Sequence, residues 1–142
     1  NNAQTHPFVS VYEAYKKSSP NVLGVEALQG DDDCIGLKVN TADGYADYLF
    51  SATDMQAHHP SKRVSFCGGL GLIREKEGQI QLMYLGCGRS LKKGNFVLES
   101  DHDVYAAIYM QHGVWYYSAT GPVRVKIGKE TKELNEGYNQ KL

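Results

Sequence analysis

Arg89, Lys92 and Lys93 crowd three cations into a short stretch. Such groups recognise sulfate or carboxylate when they converge, and arginine does so through two parallel N–H bonds. Lys16-Lys17 and Lys62-Arg63 are further basic pairs. Scattered surface cations are the ordinary alternative to a converging set. Trp115-Tyr116-Tyr117 offers aromatic faces on which a sugar ring can stack. Strand alternation puts Trp115 and Tyr117 on one face and Tyr116 on the other, and at least one of those faces supplies packing area. Trp115, Tyr117, Arg89, Lys92 and Lys93 are therefore the candidate carbohydrate-contacting residues.

Other chemistry-bearing groups are isolated. His58-His59 is a histidine pair, but adjacent strand residues point to opposite faces and only a loop would let both grip one ion. No acidic or cysteine partner stands at ligand spacing. Asp31-Asp32-Asp33 clusters oxygens that calcium favours, yet it lacks the alternating spacing and closing carboxylate of a calcium loop, and it reads as a solvated turn. The three cysteines, Cys34, Cys67 and Cys87, fit no zinc pattern. An odd number leaves at least one thiol unpaired, while Cys67 and Cys87 sit in strand-like surroundings and could face each other. Small buried apolar side chains are the simpler reading for all three. No Ser/His/Asp, Cys/His or paired-carboxylate arrangement stands out, and neither a metal nor a cofactor is expected.

The elements that must position these residues read as strands. The 142-residue chain is 42% hydrophobic and 22% charged, with 10 tyrosines and 15 glycines. Aromatics suit pleated surfaces and glycines suit tight turns. A net charge of -1 argues against nucleic acid, whose binders carry a strong basic excess. No apolar run approaches the roughly 20 residues that cross a bilayer. The N-terminus shows no signal peptide, so the chain is expected to be cytoplasmic, processed or cut from a longer one.

Glu75 to Gly78 reads as a hairpin loop of the longer type, with Gly78 at positive φ, between Gly69–Arg74 and Gln79–Leu85, where apolar residues over Ile80 to Tyr84 mostly alternate with others. Strands are also expected over 6–15, Val22–Leu28, Cys34–Asn40, Gly44–Phe50, Asn95–Ser100, Val104–Met110, Val114–Ser118 and Val123–Ile127. Gly86-Cys87-Gly88 and Asp101-His102-Asp103 read as breaks, and Arg89 to Lys93 as a basic turn. Ser51 to Lys62 is an irregular segment that marks a boundary between layers. About ten short strands with turns every eight to twelve residues predict an all-β antiparallel β-sandwich, or two-layered sheets. The domain spans residues 1–127, and 128–142 form a polar tail, frayed or weakly helical.

Two blocks carry a resemblance. The first is His6-Pro7-Phe8-Val9-Ser10-Val11-Tyr12-Glu13-Ala14-Tyr15 with Val22 to Leu28 and Gly44-Tyr45-Ala46-Asp47-Tyr48-Leu49-Phe50. The second is Gly71-Leu72-Ile73-Arg74, Leu82-Met83-Tyr84-Leu85-Gly86-Cys87-Gly88 and Val97-Leu98-Glu99-Ser100. Their succession, over residues 6 to 127, resembles the C-terminal β region of heparinase II/III-like polysaccharide lyases. The resemblance implies a β-elimination on acidic polysaccharide, with the catalytic Asn or Glu, Tyr and His on an upstream helical domain and the start of the β region. No family-type catalytic motif is present, so no catalytic residue carries over. The implied role is a non-catalytic, structural β domain whose partners are that helical domain and acidic polysaccharide, in a periplasmic or secreted enzyme. A stand-alone carbohydrate-binding β-sandwich is the alternative.

Overall fold

The computed structural model describes residues 10–13, 19–30, 33–61 and 63–142. All regular structure among them is antiparallel strand: β1 (Val22–Gly30), β2 (Cys34–Thr41), β3 (Tyr45–Ala52), β4 (His59–Pro60), β5 (Ser65–Lys76), β6 (Gln79–Lys93), β7 (Phe96–Gln111), β8 (Val114–Ala119), β9 (Val123–Ile127), β10 (Glu130–Leu134) and β11 (Gly137–Lys141). They form one open hydrogen-bonded sheet in the order β1-β2-β3-β5-β6-β7-β8-β11, with β4 added to β5, β9 to β7 and β10 to β9. The expected all-β antiparallel class is what the chain adopts.

The sheet makes two layers because β5, β6 and β7 are long and bend. Their register slips between Cys67 and Gly68 on β5, and between Leu85, Gly88 and Ser90 on β6. On β7 the slip leaves residues 100–103 between Glu99, opposite Ser90, and Val104, opposite Gly88. Extra residues of this kind kink a strand and let it pass from one layer to the next. Glycine is required at this corner: a Cβ on Gly88 would stand 2.7 Å from Gly68 Cα and from the Cys67 carbonyl oxygen. The first layer holds β1, β2, β3, β8, β11 and the adjoining halves of β5, β6 and β7. The second holds β4, β9, β10 and the other halves.

Alternation on each strand turns one face of each layer inward. In the second layer Phe66, Leu91, Leu98 and Val125 lie in register across β5, β6, β7 and β9, and all are buried. Each such side chain contributes roughly 1.5–3 kcal/mol on leaving water. Facing them are Phe50, Ile73, Met83, Leu85 and Ile108 of the first layer. Phe50 and Phe66 meet across the gap with ring centroids 5.7 Å apart. Gly36 and Gly71 make room for them, since a Cβ at Gly36 would come within 2.7 Å of the Phe50 ring and one at Gly71 within 3.0 Å of Phe66.

Several expectations change. Glu77 and Gly78 have φ of 50° and 77°, so the β5–β6 connection is a two-residue turn of the primed kind, tighter than the longer loop expected. The breaks at Gly86-Cys87-Gly88 and Asp101-His102-Asp103 are layer crossings inside continuous strands, with Cys87 at φ 48°. Arg89 to Lys93 is strand rather than turn. Residues 128–142 are not frayed or helical: they supply β10, paired with β9, and β11, paired with β8. The segment between β3 and β5 holds the short β4, which pairs with β5. The expected strand at 6–15 lies mostly outside the described residues. Among the described residues no helix is long and apolar enough to cross a membrane.

Candidate functional site

The outward face of the second layer carries the polar chemistry. Cys67, Ser90, Glu99, Arg124 and Glu133 stand in register on five neighbouring strands. Beside this row, at the layer corner, a cleft of about 550 Å³ is lined by Arg89, Lys92, Arg124, His58 and His102 among others. The bulge after Gly88 brings Arg89 to the cleft although its neighbour Ser90 also faces it.

The cations there are held by carboxylates of the same sheet. Arg89 Nε donates to Asp103 Oδ1 at 2.9 Å. Lys92 Nζ lies 2.6 Å from Glu99 Oε2. Arg124 bridges two acids, Glu99 at 3.1 Å and Glu133 at 2.5 Å. The hydrogen bond from Lys92, ahead of that from Arg124, holds the Glu99 carboxyl below its ordinary range despite partial burial. Asp103 also accepts from the Gln56 amide at 3.0 Å.

The sequence candidates separate. Arg89 and Lys92 come together in this cleft, but Lys93 does not. Alternation turns it inward, where its Nζ lies 2.5 Å from Glu75 Oε1 and 4.7 Å from the centroid of the Tyr48 ring. Burial first, then the Glu75 charge, raises the Tyr48 phenol above its usual value. Trp115 and Tyr117 are also inward, half-buried against the core, and Trp115 packs on Phe96 at 5.9 Å. Trp115 also edges a smaller hollow of about 260 Å³ with Val125, Ile127 and Leu142.

The histidines split as neighbouring strand positions do. His58 Nε2 is 2.9 Å from Ser65 Oγ at the cleft, whereas His59 is buried and stacks on Phe66 at 6.4 Å. Asp31 and Asp32 lie outside the described residues, and the Asp33 carbonyl accepts from Thr53 N at 2.9 Å. Cys67 and Cys87 do not pair. The Cys67 thiol points to the Met55 and Gln56 carbonyls at 3.6 and 3.5 Å, and burial raises its pKa. Arg124 and Glu99 were not singled out in sequence. Their signal was present only as alternation in Val123–Ile127 and Val97–Leu98–Glu99, and the partners that make it meaningful come from other strands.

The described residues thus form an all-β layered domain with a charged outer cleft. Residues 22–110 match the family described as the endo-acting ulvan lyase C-terminal domain, and the chain belongs to that family. It is 33% identical over 101 residues to an endo-acting ulvan lyase of Formosa agariphila. The alignment covers 67% of this chain and 12% of that enzyme, so the chain spans a small part of its relative. No solved structure matches the chain significantly.

Proposed function

We propose that this chain is the non-catalytic C-terminal β domain of a larger ulvan lyase, a polysaccharide lyase that breaks an acidic polysaccharide by β-elimination. Its role is structural: it completes the layers behind a catalytic portion that lies upstream and is helical, of the heparinase II/III-like kind. An endo-acting lyase meets its polymer outside the cytoplasm, so the parent enzyme is periplasmic or secreted.

The match of residues 22–110 to the ulvan lyase C-terminal domain carries the reading, and the non-catalytic part of it is supported by the pairing of each Lys and Arg of the cleft with a carboxylate of its own sheet. β-Elimination needs a charge that neutralises the uronate carboxylate while a second group takes the proton. Here Arg89, Lys92 and Arg124 are already neutralised by Asp103, Glu99 and Glu133. The 142-residue chain mixed with ulvan should produce no ultraviolet absorbance from unsaturated uronate. The parent lyase carrying Arg89→Ala with Lys92→Ala should keep its turnover. Cleavage by the short chain, or turnover lost in that variant, overturns the reading.

The size of the cleft favours a second reading, a carbohydrate-binding β-sandwich. That reading requires the chain alone to be retarded on an ulvan affinity gel and the retardation to disappear in Arg89→Ala.

A further inference from the structure

The outward face of the first layer is as apolar as the cleft face is charged. Ala27, Leu37, Leu49, Leu72, Tyr84, Ala107 and Ser118 stand in register across seven strands. At a strand spacing of ~4.8 Å that row is on the order of 30 Å long. Flanking rows add Val25, Leu70, Leu82 and Tyr105 on the same face. Much of this surface is open to water: Val25 is 47% exposed, Leu49 37%, Leu70 46% and Tyr105 54%. A hollow of about 600 Å³ at the β8 end is walled by Tyr84, Tyr105 and Tyr138. Soluble monomers rarely leave apolar patches of more than a few hundred Å² uncovered, and larger ones mark contact surfaces.

We propose that this face is the seat of the catalytic portion of the parent lyase, with the tyrosine-walled hollow receiving an anchoring side chain from it. The proposal rests on the reading of the chain as one part of a larger lyase. Three observations select this occupant. The family is a C-terminal domain and the chain covers 12% of its relative, so most of such an enzyme lies outside these residues. The row from Ala27 to Ala107 falls wholly within the matched segment, 22–110. The exposed aliphatic side chains offer a sugar hydroxyl no hydrogen-bond partner, while they suit the desolvated centre of a protein interface. Among the described residues the charges on this face sit at one edge of the row: Arg74 pairs with Asp47 at 2.6 Å, and Lys76 lies over the Tyr45 ring at 4.9 Å.

Hydroxyl-radical footprinting of the 142-residue chain and of the full-length lyase tests this. Leu49, Leu70, Leu72 and Tyr105 should oxidise readily in the short chain and severalfold less in the full enzyme. Leu49→Lys with Leu70→Glu should leave the melting temperature of the short chain unchanged, because both side chains are exposed, and should restore oxidation of Leu72 and Tyr105 in the full enzyme. Equal oxidation in both proteins overturns the proposal. So does protection that grows with the concentration of the short chain, which assigns the face to a second copy, or protection that requires added ulvan, which assigns it to the polymer. If the full enzyme fails to form unsaturated uronate from ulvan, the functional reading fails, whatever the footprint shows.

Discussion

Lys93 and Glu75 join the two layers from within, Nζ to Oε1 at 2.5 Å. Lys93 comes from the far end of β6 and Glu75 from the far end of β5, and their side chains are only 18% and 9% exposed. The Tyr48 ring covers the ammonium. Removing one member strands a charge in a place that water barely reaches. Lys93→Met should therefore destabilise the domain by about 3 kcal/mol, and adding Glu75→Leu should recover most of that loss. Urea unfolding of the two variants measures both. A single variant as stable as the parent would show that the pair is dispensable.

Gly88 and Gly24 should answer the same substitution in opposite ways. A Cβ at Gly88 would come within 2.6 Å of Leu85 Cδ1 and 2.7 Å of backbone atoms, whereas nothing lies within 4 Å of one at Gly24. Gly88→Ala should cost about 2–3 kcal/mol or block folding, because backbone at the layer corner has to shift. Gly24→Ala should be neutral or slightly stabilising, since it only narrows the unfolded ensemble. Thermal melts of the two proteins decide it, and equal effects would argue against a tight corner.

Glu99 should give the cleft an acid-sensitive contribution to stability. Its carboxyl titrates lower when folded than the ordinary 4.5, chiefly through the Lys92 hydrogen bond. A depressed acid stabilises the fold above its unfolded pKa, and that contribution fades as pH falls through the folded value. The melting temperature of Glu99→Gln should therefore lie below that of the parent at neutral pH and approach it in acid. A gap that stays constant from neutral to acid would contradict this.

The cysteines should separate by accessibility. Cys67 is buried with its pKa raised by burial, and thiol reagents attack the thiolate. Cys34 is also buried, and Cys87 is half-buried. A thiol reagent at neutral pH should modify Cys87 first and reach the other two only as the protein opens. Peptide mapping by mass spectrometry reads the order, and early modification of Cys67 would place that thiol in contact with solvent.

The layered antiparallel class was legible because alternation and turn glycines are local signals. Gly78 turns where a turn was expected, although the alternation read over Ile80 to Tyr84 is broken by a register slip that turns Ile80 inward with Glu75 and Leu82 outward with Arg74. The layer crossings were not legible. Gly86-Cys87-Gly88 and the acidic Asp101-His102-Asp103 look like ends of strands, and a bulge inside a long strand leaves the same local signature. That mistake also hid the separation of Lys92 from Lys93: in a turn they could converge, but in a strand they face opposite sides. The polar residues 130–141 were misread because β10 and β11 contribute little to the core and are held mainly by ladder bonds to β9 and β8. The cleft itself depends on Asp103, Glu99 and Glu133, which only tertiary pairing brings to their cations.

β5, β6 and β7 run through both layers as continuous chain, with pairing that slips at the corner and resumes on either side. Swinging one slab against the other would have to bend all three strands together at a corner packed as tightly as Gly68 and Gly88, which makes the domain closer to a bracket than to a hinge. A push delivered to its oily side would reach the charged side as whole-body displacement. Force applied at one face would then reach the other with little loss in between.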